Sequence, residues 1–522
     1  MARSPLFGIL RKLIQQEVSR KILLNDPARR EFLKKALTYG AVAAPASSFL
    51  LRKAFSSFIS QTSSAQPIAI LGGGISGLTV AYRLSQAGIP CEIYEAASRL
   101  GGRIFTQNNF NKEGMFCELG GELVDTEHAD VLDLAKELGL VIDDLAQADV
   151  GIESGHYFFG GQHYYEKDLL VGIRPLAAHL AKDMQELEID FHAPIINYKK
   201  HNEAAIRMDR VTMSEYLYAK KDVDKWVLDL INIAYLGEYG ADTNQQSAIN
   251  LMLMMNPDLS QGFRVFGASD ESKRIQGGNS RLIKALETAI RSKVQIHFES
   301  KLVQMRDAGG AIHLVFESRG KTFIQKPAQV ICTLPFTTLR DVEGLRTLGL
   351  SPVKLKCIET LGYGINTKRM IGFKERIWRK SFGPILASNG YTFTDLKTQT
   401  YWDTSRAQTG QSGILTNFMG GSDAARPPHT VMEDLEKVYP GIAQNNDGNH
   451  AEFRWGNYPY SKGSYTCPKP GQVTSLIGSP AEPELGGRLL FAGEHVSEIY
   501  QGYINGAVQS ANEVVKQVIF NS

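Results

Sequence analysis

From residue 67 onward, short apolar runs alternate with glycine-rich turns and with stretches whose apolar positions recur at helical spacing. The first run, Pro67-Ile68-Ala69-Ile70-Leu71, has no polar interruption, as befits a strand buried on both faces. After the glycines at 72–77, a helix is expected over 78–86, with Leu78, Ala81, Tyr82 and Leu84 as its apolar positions. A second apolar strand, 91–94, ends at Glu95. Strand, helix and strand in this order form the βαβ unit of an α/β fold. The strand signature returns at 330–334 and 490–492. Helical patterns are expected over 176–187, over 226–236 and from 502 to about 518. No internal repeat or low-complexity tract interrupts the pattern.

The turn after the first strand reads Gly72-Gly73-Gly74-Ile75-Ser76-Gly77, a GxGxxG between a strand and a helix. Each glycine has a task in binding a dinucleotide. Gly72 makes the tight turn, Gly74 lets a pyrophosphate approach the backbone, and Gly77 lets the helix pack on the strand. The helix N-terminus, with Ile75 and Ser76 in its first turn, then stabilises the phosphate charge. Glu95, 18 residues past Gly77, is placed to bind ribose hydroxyls. The next segment, Ala96-Ala97-Ser98-Arg99-Leu100-Gly101-Gly102-Arg103, resembles the second glycine motif of two-dinucleotide-domain flavoproteins. That resemblance implies that Ala96, Arg99, Gly102 and Arg103 approach an FAD diphosphate.

Dispersed blocks carry the likeness to the C-terminus. Cys117-Glu118-Leu119-Gly120-Gly121-Glu122, Gln276-Gly277-Gly278-Asn279-Ser280, Leu490-Phe491-Ala492-Gly493-Glu494 and Gly502-Tyr503-Ile504-Asn505-Gly506-Ala507 resemble segments of the flavin amine oxidases. That family includes monoamine, polyamine and L-amino-acid oxidases. The resemblance implies a Rossmann-like FAD domain that follows a leader at 1–66 and is built from 67–145, 265–337 and 463–522. A mixed α+β substrate domain would be built from 146–264 and 338–462. It also implies that Gly120, Gly121 and Glu122 lie beside the flavin ring, that the Val303 backbone contacts adenine, and that Gly493, Glu494, Gly502, Tyr503, Ile504 and Ala507 complete the FAD site. The N-terminus of the last helix would stabilise a reduced, anionic flavin.

The resemblance gives three residues a catalytic place. Lys368, in Gly364-Ile365-Asn366-Thr367-Lys368, matches the family lysine that holds a water against the flavin. Tyr465 and Tyr503 match an aromatic cage that aligns a neutral amine. Ser464 stands where monoamine oxidases carry the cysteine that bonds FAD, so non-covalent FAD is expected. The reaction implied is oxidation of a primary amine or L-amino acid to an imine. Hydrolysis then gives an aldehyde or keto acid plus ammonia, and dioxygen is reduced to hydrogen peroxide.

The substrate is less legible. An amino-acid carboxylate calls for a paired arginine, and none follows the Gly120-Gly121 turn. Arg264, Arg369 and Arg406 are read as surface charges or ion-pair partners. Glu122 attracts a second amino group or is satisfied by backbone N–H groups, the latter being favoured. Trp402, Trp455 and Tyr458 are candidate pocket walls. A polyamine oxidase, a dehydrogenase with another acceptor and a non-catalytic flavoprotein scaffold remain as alternatives.

Charge adds a partner. Residues 1–53 hold 11 Lys/Arg against 3 Asp/Glu, leaving 46 and 52 for the rest of a 522-residue chain. The basic excess therefore lies in the leader, and nothing argues for nucleic-acid binding by the globular part. Arg29-Arg30-Glu31-Phe32-Leu33-Lys34 resembles a twin-arginine export signal. The apolar stretch after it, 36–51, is shorter than the roughly 20 residues of a membrane span. Export machinery is thus an expected partner and the periplasm or exterior the expected location. A homodimer is left open. None of the five cysteines forms a CxxC pair, so neither a metal site nor a disulfide framework is expected.

Overall fold

The computed structural model describes residues 66–190, 195–260 and 262–521. The expected export signal, and with it the leader's cleavage and location, lie outside the described residues.

The apolar runs assemble as parallel strands. β1 (Ile68–Leu71) lies at the centre of a five-stranded sheet. On one side it pairs with β2 (Cys91–Tyr94) and then with Gln295–His297. On the other side come Val330–Cys332 and Leu489–Phe491. Alternation divides β1 between two cores. Ile68 and Ile70 pack with Leu78 and Leu84 of α1 (Ile75–Ala87) and with Val508, Ala511 and Val514 of the final helix. Ala69 and Leu71 face a second core that includes Leu302, Phe316 and Phe491. A parallel sheet covered on both faces explains the unbroken apolar runs.

α1 starts at Ile75, three residues before the apolar pattern, because the chain turns directly from Gly74 into helical geometry. The final helix spans Ile504–Asn521. The helix Lys225–Tyr239 outlasts its pattern and stops at Gly240, whose φ of 66° ends the helical turn.

A second sheet has seven strands in the order Asn446–Arg454, Asn366–Phe373, Gly413–Gly420, Thr400–Asp403, Thr392–Thr394, His156–Phe159 and Gln162–Tyr164. All its strands come from 146–264 and 338–462, whereas those of the parallel sheet come from the other segments. Asn366–Phe373 is paired on both sides, with Lys368 opposite Phe418 and Phe453. That pairing fixes the lysine's backbone in the interior of the sheet. All five cysteines are buried and free.

Candidate active site

The turn after β1 is shaped by close backbone approach. Gly72 has φ 104°, and a Cβ on Gly77 would lie 2.0 Å from the Gly72 carbonyl oxygen. Gly77 therefore permits the packing of α1 on the turn and is not itself a wall of the site. Glu95 accepts the Gly73 N–H at 2.6 Å and the Ala97 N–H at 2.7 Å. Burial raises its pKa, and these two bonds oppose the rise. Arg99 lies 4.3 Å from the Phe105 ring centroid and donates to the Gly102 carbonyl at 2.7 Å. Arg103 donates to Glu494 and to the Ser464 carbonyl, each at 2.8 Å. Burial would raise Glu494, but the Arg103 charge overrides it and holds the carboxyl below its ordinary value.

The Gly120-Gly121 turn follows. A Cβ on Gly120 would lie 1.9 Å from the Arg103 carbonyl oxygen. Gly120→Ala should therefore cost about 1–3 kcal/mol of stability by overpacking. Chemical denaturation with cofactor content followed in parallel would measure it, and an unchanged midpoint would refute the crowding argument.

Glu122 is engaged differently from the sequence expectation. Neither backbone N–H groups nor a vacant side satisfies it. Its Oε2 accepts Lys368 Nζ at 2.9 Å and Trp402 Nε1 at 3.1 Å, and its Oε1 accepts Thr404 Oγ1 at 2.8 Å. Arg274 stands 3.6 Å from Oε1. Burial would push the carboxyl up, but Lys368 and Arg274 outweigh it and hold it below the ordinary value. The physical reason is long-range: Lys368 lies on strand Asn366–Phe373 and Thr404 just after strand Thr400–Asp403, with Gly413–Gly420 between these strands in the second sheet, and both are far from Glu122 in sequence. Lys368 also donates to the Gly120 carbonyl at 3.0 Å.

The tyrosines are anchored by their hydroxyls. Tyr465 donates to the Gly237 carbonyl at 3.0 Å and Tyr503 to Glu238 Oε1 at 2.8 Å. Burial first, then the Glu238 charge, pushes both phenols well above their ordinary values. Trp455 donates to the Leu119 carbonyl at 2.8 Å.

These elements surround one cavity of about 420 Å³. The residues singled out from the sequence line it, with Gly77 and Val303 as the two that do not. The Val303 carbonyl accepts the Glu343 N–H at 2.9 Å, and Leu302, one residue earlier, lines the cavity; strand Lys301–Asp307 shifts register between Leu302 and Gln304.

A family model described as "Flavin containing amine oxidoreductase" matches residues 75–519. The chain belongs to this family. Over 494 residues it is 25% identical to the flavin-dependent L-tryptophan oxidase RebO of Lentzea aerocolonigenes, covering 86% of this chain and 97% of that protein. Its fold matches that of wild-type putrescine oxidase bound to putrescine, with a TM-score of 0.70, 18% identity, and 87% and 99% of the two chains covered. Cyclohexylamine oxidase from Brevibacterium oxydans gives a TM-score of 0.71 at 18% identity, with the same coverage.

The protein is therefore a flavin-dependent oxidoreductase acting on CH–NH or CH–NH2 groups, with the two-domain α/β fold of the flavin amine oxidases. The cavity suits a flavin dinucleotide. Ser76 Oγ, in the first turn of α1, is buried, faces the cavity and has no partner. A Cβ on Gly74 would meet nothing closer than 4.0 Å, which leaves that stretch of backbone open to a phosphate. When bound, a flavin supplies a two-electron acceptor for the amine carbon.

Two cavity residues and one behind the cavity wall escaped the sequence reading. Glu238 and Glu271 face the cavity, and Arg274 lies behind Glu122. Burial pushes Glu238 up to about 7. Burial, with Asp125 and Glu238, pushes Glu271 up to about 8. Glu238 left one signal, a lone acid in the apolar run Ala234-Tyr235-Leu236-Gly237; Glu271 and Arg274 left none. Of the arginines considered for a carboxylate, Arg264 is exposed. Arg369 pairs with Glu452, and Arg406 with Asp149.

Proposed function

We propose that this enzyme holds FAD non-covalently and oxidises the C–N bond of a small amine, with dioxygen reduced to hydrogen peroxide. One observation carries the reading: dinucleotide-turn residues and the trio Lys368, Tyr465 and Tyr503 line a single cavity. The two phenols, fixed by their hydroxyls, confine the amine and exclude water from it. Lys368 presents a fixed ammonium beside the Gly120-Gly121 turn. The substrate loses two electrons and two protons to become an imine, which water converts to aldehyde and ammonia. The two electrons and two protons convert dioxygen to peroxide.

Ser464, which donates to Asn366, supplies no thiol for a flavin bond, and buried Cys467 does not line the cavity. Denaturing the holoprotein should release all of its flavin; colour left on the polypeptide would refute non-covalent binding. An L-amino acid is the second reading, favoured by the activity of RebO. It is weakened by the cavity's arginines, since among the described residues only Arg99 and Arg103 line it and both are engaged. Export through the twin-arginine route rests on Arg29-Arg30 and the basic leader.

Aerobic turnover tests the reaction. Peroxide should form stoichiometrically with amine consumed, and an artificial acceptor should add little. Turnover only with the artificial acceptor would make the protein a dehydrogenase instead.

A further inference from the structure

Behind Tyr503 two titratable side chains, His128 and Asp125, are buried without lining the cavity. They hold each other. The Asp125 N–H donates to His128 Nδ1 at 3.0 Å, and His128 Nε2 stands 3.1 Å from Asp125 Oδ2. With both ring nitrogens against one residue, the imidazole plane is fixed. Asp125 is fixed in turn, since its Oδ1 accepts Ser269 Oγ at 2.9 Å and the Glu271 N–H at 2.7 Å.

The imidazole is also held in register with Tyr503. His128 directly precedes helix Ala129–Glu137, and the Val131 N–H in its first turn donates to Asn505 Oδ1 at 3.0 Å. Asn505 lies two residues past Tyr503. The His128 ring then meets the Tyr503 ring at 5.1 Å between centroids and an interplanar angle of 61°, and the Tyr500 ring at 5.3 Å and 89°.

This contact fixes what the phenol's own bond leaves loose. Tyr503 donates its hydroxyl to Glu238. A tyrosine hydroxyl lies on the axis about which the ring turns, so such a bond fixes the axis and not the ring plane. Rotation about Cβ–Cγ is a broad torsion, and lateral packing selects its value. His128 supplies a lateral contact of set orientation.

We infer that His128, locked by Asp125, is a positioning residue that sets the plane of the Tyr503 ring and thereby the rate at which a bound amine is oxidised. This rests on the reading of Tyr503 as a wall of the amine-oxidising site. A ring free to rock admits the amine in misaligned poses, which slows the chemical step more than it weakens binding.

Anaerobic rapid mixing of the holoenzyme with amine tests the role, with butylamine as the first probe and L-leucine as the second. His128→Asn keeps an acceptor for the Asp125 N–H and removes the ring. Its limiting rate of flavin reduction should fall about tenfold or more. The half-saturating amine concentration should move by less than about threefold. In a Tyr503→Ala background the same change should cost no more than about twofold, because its effect runs through that ring. His128→Phe, which restores a flat ring, should recover most of the lost rate. Visible absorbance reports whether each variant keeps its flavin. An unchanged limiting rate in His128→Asn would overturn the inference, as would an equal loss in both backgrounds. Should His128→Asn not retain flavin, His128→Phe carries the test alone, and a coloured Phe variant that has lost as much rate as Tyr503→Ala overturns it. If neither probe bleaches the wild-type flavin, the amine-oxidase reading falls; if one does and His128→Asn matches the wild type, only the positioning role falls.

Discussion

Replacing Lys368 by methionine should slow the reaction of the reduced enzyme with dioxygen by about a hundredfold, the scale of losing one preorganised electrostatic contact. Amine-driven reduction should change much less. The argument starts from the strand. Lys368 is paired on both sides within Asn366–Phe373, so its backbone cannot drift. Its Nζ is tied to the Gly120 carbonyl at 3.0 Å and to Glu122 at 2.9 Å, which aims the ammonium along the cavity wall. Negative charge grows on dioxygen as it accepts electrons. In a cavity with little water, a fixed positive charge stabilises that growth far more than it would in solution. Stopped-flow mixing of reduced enzyme with aerated buffer measures the effect. Equal reoxidation rates in both proteins would reduce Lys368 to a structural partner of Glu122.

Glu122→Gln should destabilise the fold by about 3–5 kcal/mol, because it leaves Lys368 and Arg274 buried without their counter-charge. Arg274 has little to fall back on. Its terminal nitrogens already serve the Thr404 and Arg406 carbonyls, and its Nε has no partner. The effect has a pH signature. Burial favours the neutral acid, but Lys368 and Arg274 win, and the folded-state pKa lies below the ordinary 4.5. The stabilisation is therefore fully present above pH 4.5 and is lost as pH falls through the folded value. Urea unfolding of both proteins should show a gap that is constant at neutral pH and narrows in acid. A gap that widens in acid would contradict the assignment.

Local chemistry was legible in the sequence, and contacts across the fold were not. The turn 72–77 and Glu95 could be read because strand, loop and helix are contiguous, and because backbone crowding at Gly77 leaves no alternative to glycine. Tyr465 and Tyr503 could be placed because each adjoins a glycine block resembling the family's. Glu122 could be noticed, but its partners Lys368, Trp402 and Thr404 lie 246, 280 and 282 residues away. Only the register of the second sheet brings them together. Glu271 could not be found, since an acid in a polar loop looks the same whether it faces solvent or a cavity.

The most direct test is anaerobic titration of the purified, flavin-loaded protein with a small amine, followed by admission of air. The account expects the flavin's visible absorbance to bleach on adding amine and to return with oxygen. Bleaching should be lost or greatly slowed when Tyr465 and Tyr503 are both changed to alanine in protein that keeps its colour. A purified protein that binds no flavin, or a bound flavin that no amine can bleach, would contradict it.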